Sequence, residues 1–218
     1  MKRNVSIFLL MILLSACNEG QKLESKNGFA VIPEPKEGYA VATYAGGCFW
    51  AMQECLIELK GVDKVISGYA GGSAVNPTYE EVLGKKTGHA ESVQVYYRPN
   101  VISFEQLTQA FFHAHDPTQI DRQGPDIGTD YRSIAFYRTE GERKIIRKLM
   151  DAIDASGIYP DPLATEISPF KVIYPAEMEH QNYYKKNSWD PYIRRVSRPK
   201  VLKLRKAMPA FIKSQYVD

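Results

Sequence analysis

Hydrophobic positions divide the chain into stretches of different character. Residues 5–14 are apolar except for Ser6 and follow the basic pair Lys2 and Arg3. Residues 18–38 are polar, show no hydrophobic period, and are broken by Gly20, Gly28, Pro33, Pro35 and Gly38. From Tyr39 onward, short apolar runs alternate with turns marked by glycine. The small, β-branched and aromatic run 39–45 predicts a strand, ended by Gly46 and Gly47. Phe49, Met52, Leu56 and Leu59 recur at helical spacing, and Gly61 stops that helix. Residues 62–69 predict a strand, 78–83 a short helical turn, and 91–97 an alternating strand closed by Pro99. Ser103 with Gln106 three residues on makes a capping box for a helix reaching Ala114. Residues 116–129 are rich in turn formers. A strand at 133–137, a charged amphipathic helix at 141–155, and a strand at 165–173 interrupted by Pro169 follow. Such alternation of helices and strands favours an α/β or α+β sandwich.

The apolar run 5–14 spans about 15 Å as a helix, roughly half a bilayer core. It reads as the core of a signal peptide rather than a membrane span. Leu14-Ser15-Ala16-Cys17 then stands where cleavage belongs and resembles the lipobox of bacterial lipoproteins, in which the Cys becomes the lipidated first residue. The expectation is a signal peptide at 1–16, with lipidated Cys17 and a flexible tether at 17–38. A tether of that length has an r.m.s. reach of about 25 Å. A folded domain at 39–195 and a basic extension at 196–218 complete the division. Between Asn182 and Lys213 there are ten Lys or Arg against one acid, Asp190. That run reads either as a solvated tail lying on the domain or as a stretch attracted to anionic lipid.

Composition narrows the classes further. A chain of 218 residues suits one domain, and 44% hydrophobic with 24% charged residues excludes wholesale disorder. A net charge of +3 does not call for nucleic acid. Three Cys cannot staple a chain of this length.

Cys48 carries the candidate chemistry. It follows two glycines and opens a helix, where unpaired N–H groups and the helix dipole favour a thiolate and lower a Cys pKa. Phe49 and Trp50 offer apolar walls. A buried structural Cys among core aromatics is the alternative. The wider context bears on that choice. Gly47-Cys48-Phe49-Trp50, Gly68-Tyr69-Ala70-Gly71-Gly72, Asn76-Pro77-Thr78-Tyr79, Gly88-His89-Ala90-Glu91, His115-Asp116-Pro117, Asp130-Tyr131-Arg132-Ser133 and His180-Gln181 occur in that order. Together they resemble the peptide methionine sulfoxide reductase A family, over roughly residues 44–192.

The resemblance implies an α+β fold: a ferredoxin-like α/β sandwich with a mixed central sheet, helices packed on it and a long irregular C-terminal segment. It implies thiol-dependent reduction of the S epimer of methionine sulfoxide. Cys48 would attack the sulfur as nucleophile and end as a sulfenic acid. Glu91 would be the acid facing the sulfoxide oxygen, its proton retained by desolvation. Tyr79 and Tyr131 would donate hydrogen bonds there. Phe49 and Trp50 would cup the methyl group, and Asp126 matches a family acid near the pocket. No cofactor is implied beyond an external reductant, thioredoxin-like or glutaredoxin-like. Partners would be oxidised methionine-containing proteins or peptides, an extracytoplasmic reductant and, through the lipid, a bacterial membrane at the cell envelope. A monomer is the default state. His89 and His180 are expected to make structural hydrogen bonds. His113 and His115, two apart, do not face one way on a helix and predict no metal site.

Two departures from the family stand out. No Cys follows Cys55, so the resolving Cys that many members carry near the C-terminus is missing. Cys55 lies seven residues from Cys48, about 10.5 Å of helical rise. Disulfides need Cα atoms within roughly 7 Å. Cys55 is therefore expected in the core, and Cys48 to be rescued directly by an external thiol. The Gly-x-Glu that usually follows the Trp is also replaced by Ala51-Met52-Gln53. Two rival readings share the pocket: a Cys hydrolase using His89 or His180 as base, which would need no reductant, and a module that binds oxidised peptides without turnover. Consumption of sulfoxide that depends on thiol separates both from a reductase.

Overall fold

The computed structural model describes residues 21–217. The signal peptide and Cys17 lie outside the described residues. Six strands form the central sheet: β1 (Ala40–Gly46), β2 (Val62–Ala70), β3 (Ala90–Tyr97), β4 (Ser133–Tyr137), β5 (Glu166–Pro169) and β6 (Ile173–Pro175). Their order is β6-β2-β3-β1-β4-β5, antiparallel except for the parallel β4–β5 pair. This is the expected α+β sandwich with a mixed sheet. β3 lies between β1 and β2 and is buried along its whole length.

The helices are α1 (Phe49–Ile57), α2 (Tyr79–Leu83), α3 (Phe104–Ala114), α4 (Glu140–Ser156), α5 (Tyr183–Lys186) and α6 (Arg198–Ala207). Capping boxes at Thr78 with Glu81 and Ser103 with Gln106 start α2 and α3. Helices α1, α3 and α6 pack on one another. Tyr44 on β1 is fully buried, stacks on Phe111 of α3 at 4.7 Å, and bonds Thr108 through its hydroxyl at 2.9 Å. Leu56, Leu107, Val201 and Leu204 join the same core. Each such side chain contributes roughly 1.5–3 kcal/mol by burial.

Three boundaries differ from the expectation. From Gln21 on, the stretch read as a tether lies on the sheet. Gln21 exchanges hydrogen bonds with the Val65 backbone at 2.5 and 2.9 Å, Ser25–Lys26 pairs with Phe29–Ala30, and Ala30 packs on Ile66 and Tyr96. Polar composition hid this because backbone pairing needs no hydrophobic period. The run 165–173 is two strands, not one. β5 pairs with β4, and after Pro169 the chain passes to the opposite edge, where β6 pairs with β2. Finally, the basic extension is a working part of the core. Val201, Leu204 and Tyr216 are buried, and Arg205 grips the buried Glu58, the residue that caps the end of α1, through two bonds of 2.8 Å. Lys185 approaches Glu54 at 3.7 Å, and Lys213 caps the Ile57 carbonyl at 2.5 Å. The basic run thus meets the acids at the C-terminal end of α1, and Val201, Leu204, Arg205, Lys213 and Tyr216 are packed on the domain rather than solvated, while Arg194, Arg195, Arg198 and Lys206 stay exposed.

Candidate active site

Cys48 owes its position to the turn between β1 and α1. Gly47 adopts φ +80°, and a Cβ there would come within 2.5 Å of the Gln123 side chain. Cys48 is the residue before the first turn of α1, and the Trp50 backbone N–H of that turn faces its thiol. The antiparallel register of β1 with β3 pairs Ala45 with Ser92, which brings Glu91 beside this turn. The Phe49 backbone N–H then donates to Glu91 Oε2 at 2.9 Å. Cys48 is 5% exposed and Glu91 2%.

Electrostatics follows from that burial. Desolvation pushes the Glu91 carboxyl up to about 8, helped by the charges of Asp130 and Asp126 and opposed by the Phe49 N–H and Lys200. Glu91 therefore holds its proton near neutral pH. The expectation that the helix N-terminus lowers the Cys48 pKa is corrected. Desolvation holds this thiol well above its ordinary range, and the charge of Glu91 adds to the rise. The Tyr192 hydroxyl, the Trp50 N–H and Lys200 act the other way but are outweighed.

Aromatic rings wall the site. Phe49 lies 6.4 Å from Tyr79 and 5.5 Å from His180, and Trp50 stacks on Tyr183 at 3.7 Å. Tyr192 meets Trp50 edge-on at 5.8 Å. Tyr79 and Tyr131 are half-buried, and burial first, then the Glu91 charge, raises both phenols above their usual range. Both therefore stay protonated as donors. Asp126 enters through Tyr192, whose hydroxyl donates to Asp126 Oδ2 at 2.5 Å and also reaches the Cys48 thiol.

The structure thus brings Cys48, Phe49, Trp50, Tyr79, Glu91, Asp126 and Tyr131 into one neighbourhood, joined by the contacts above and by the mutual effect of their charges. It adds residues that the sequence pattern does not single out. Tyr192 touches the thiol. Glu177 accepts from the Tyr69 hydroxyl at 2.7 Å and from the Tyr79 N–H at 2.9 Å, fixing the start of α2. Gln53, at the departure after the Trp, donates to the Val65 carbonyl at 2.9 Å and to Gln181 at 3.0 Å, and accepts from the Asn182 N–H at 2.7 Å. A Glu there would lack both donors. Cys55 is fully buried among core side chains of an intact α1, as expected. His89 accepts from the Gly72 N–H and bridges to the Ala74 carbonyl, holding the glycine loop. His180 accepts from the Trp50 indole at 3.4 Å. Among the described residues no His, Cys, Asp and Glu cluster suits a metal ion.

A buried thiol, a protonated carboxyl, phenol donors and an aromatic cup define a site for a nucleophilic thiol acting on a small apolar group that carries an acceptor oxygen. The family model for peptide methionine sulfoxide reductase matches residues 40–211. A peptide methionine sulfoxide reductase of Natronomonas pharaonis is 45% identical over 176 residues, covering 81% of this chain and 99% of the relative. One from Thermus thermophilus is 43% identical over 173 residues, covering 79% and 97%. Among solved structures, yeast Mxr1 in reduced form superposes with a TM-score of 0.67 at 33% identity, covering 72% of this chain and 91% of that one. Methionine sulfoxide reductase A of Corynebacterium diphtheriae gives 0.64 at 34% identity, covering 71% and 78%. The chain belongs to the peptide methionine sulfoxide reductase family. Within it, the enzyme is a peptide-methionine (S)-S-oxide reductase.

Proposed function

We propose that Cys48 is the sole catalytic thiol and Glu91 its acid partner. The observation that carries this is the 2.9 Å bond from Phe49 N–H to Glu91, which holds a neutral carboxyl against the turn bearing the thiol. The sulfoxide methyl enters between Phe49 and Trp50, and its oxygen meets Glu91, Tyr79 and Tyr131. Protonation at oxygen by Glu91 makes the sulfur electrophilic, and Cys48 Sγ attacks it as its own proton passes to the carboxylate that Glu91 has become. Net, sulfoxide and thiol become methionine and Cys48 sulfenic acid: the substrate sulfur gains two electrons, and Cys48 loses them and takes up the oxygen. Two external thiols then return Cys48 to the thiol, releasing one disulfide and one water.

With no Cys after Cys55 and Cys55 in the core, a thioredoxin-like or glutaredoxin-like reductant acts on Cys48 itself. Substrates are protein-bound or free methionine sulfoxide. The signal-peptide pattern and Cys17 support attachment to a bacterial membrane on the extracytoplasmic side, where the enzyme repairs oxidised envelope proteins. No prosthetic cofactor takes part. The test is turnover of separated S and R epimers with dithiothreitol, wild type beside Cys48→Ser. Loss of the S epimer alone, abolished in the variant, is the expected result. Turnover of neither epimer by folded wild-type protein would leave the binding module, and hydrolysis without thiol would leave the hydrolase.

A further inference from the structure

One cationic group near the site has no hydrogen-bonding role. Lys200 lies on α6, a helix whose Val201 and Leu204 are buried against the core shared with α1 and α3. Its Nζ is fully buried and has no hydrogen-bond partner among the described residues. It stands 3.6 Å from where a Cβ on Gly47 would lie, behind the turn that presents Cys48. A buried ammonium without a partner is costly, and an anion formed beside it offsets that cost.

The surroundings leave few candidates for that anion. The Gln123 amide is taken up by the Asp116 backbone, accepting at 3.1 Å and donating at 2.8 Å. The Asp116 carboxylate is held by Thr118 and Gln119. His115 bonds the Phe111 carbonyl and the Ser133 hydroxyl, and burial keeps its ring neutral down to about 3. Lys203 turns to the His115 carbonyl. The charge of Lys200 also reaches Cys55 and Glu91, but Cys55 is enclosed in the core and Glu91 is the acid that has to keep its proton for the sulfoxide oxygen. Cys48, buried and protonated at rest, is the group that must lose its proton and take up oxygen in turnover, so it is then that the charge serves it.

We propose that Lys200 is a positioning residue for Cys48: its ammonium, held behind the Gly46-Gly47-Cys48 turn, is the counter-charge that admits a thiolate, and then a sulfenate, at Cys48. This rests on the reductase reading for its purpose but not for its test. It gives a site without a resolving Cys a fixed charge that stabilises the oxidised intermediate until a reductant arrives.

The experiment follows iodoacetamide alkylation of Cys48 across pH in the full chain, wild type against Lys200→Met and Lys200→Arg. Peptide mass spectrometry separates Cys48 from Cys55. With Lys200→Met, Cys48 alkylation at every pH below the midpoint is slower than in the wild type. Below it, alkylation slows about tenfold for each pH unit by which the midpoint rises. Lys200→Arg restores the profile, and kcat for the S epimer falls in the Met variant with KM little changed. An unchanged profile in folded Lys200→Met overturns the proposal. So does equal loss in both variants, which would make the role one of packing. Should Lys200→Met not fold, Lys200→Gln serves as the neutral variant under the same criteria. Wild type lacking turnover would defeat the reductase reading, while the alkylation profiles would still decide on Lys200.

Discussion

At Cys48 and Glu91, burial acts on two acids in opposite senses for catalysis. It keeps a carboxyl protonated, which the sulfoxide oxygen needs, and it keeps a thiol protonated, which nucleophilic attack does not. In the proposed mechanism the thiol proton replaces the one that Glu91 gives to the oxygen, which resolves the conflict, because charge on the Cys48 sulfur forms only as the substrate accepts a proton. The consequence is a pH limit. Glu91 titrates at about 8, so the acid is present below that value and lost above it. We expect kcat/KM for the S epimer to fall as pH rises through about 8, and Glu91→Gln to lower it about 10²-fold or more and remove that limb. Stability has the same sign: a carboxyl raised in the folded state contributes fully below its ordinary value and loses that contribution as pH rises toward about 8. That Cys48 and Glu91 come together was legible in the sequence, because glycines and motif order mark both stretches. The wrong direction for the Cys48 pKa came from weighing the helix N-terminus without the depth of burial, which sequence does not reveal. Tyr192 and Glu177 escaped because each acts across a gap of about a hundred residues or more, Tyr192 on Cys48 and Glu177 on Tyr69 and Tyr79.

Among the elements, α1, α3 and the central strands carry local signals, namely helical spacing, a capping box and glycine stops, and these match the structure closely. β5 and β6 do not, because Pro169 marks an interruption without saying that the two halves lie at opposite sheet edges. Helix α6 is the larger surprise. Its arginines and lysines read as surface, yet Arg205 pairs with Glu58, which is 1% exposed. A chain ending at Ser197 would lose buried Val201, Leu204 and Tyr216 and leave Glu58 unpaired. Urea unfolding should then show a loss of about 4 kcal/mol or more, and full stability in that truncated protein would refute this role for α6.

For the whole molecule, the catalytic body begins well before the family match at residue 40, since Gln21 and Ala30 already lie on the sheet. An anchor at Cys17 would therefore hold this body close to a membrane rather than on a long leash. Cells given labelled palmitate should label the full chain and not Cys17→Ala, and the variant should leave the membrane fraction. Equal labelling of both would remove the anchor.

A single turnover without reductant tests the central claim most directly. Reduced protein is mixed with excess S-epimer substrate, methionine is counted, and sulfenic acid is trapped with dimedone before peptide mass spectrometry. One methionine per chain, with the adduct on Cys48 and Cys55 still a thiol, is the predicted result. A Cys48–Cys55 disulfide in place of the adduct, or methionine formed with Cys48 unmodified, would contradict it.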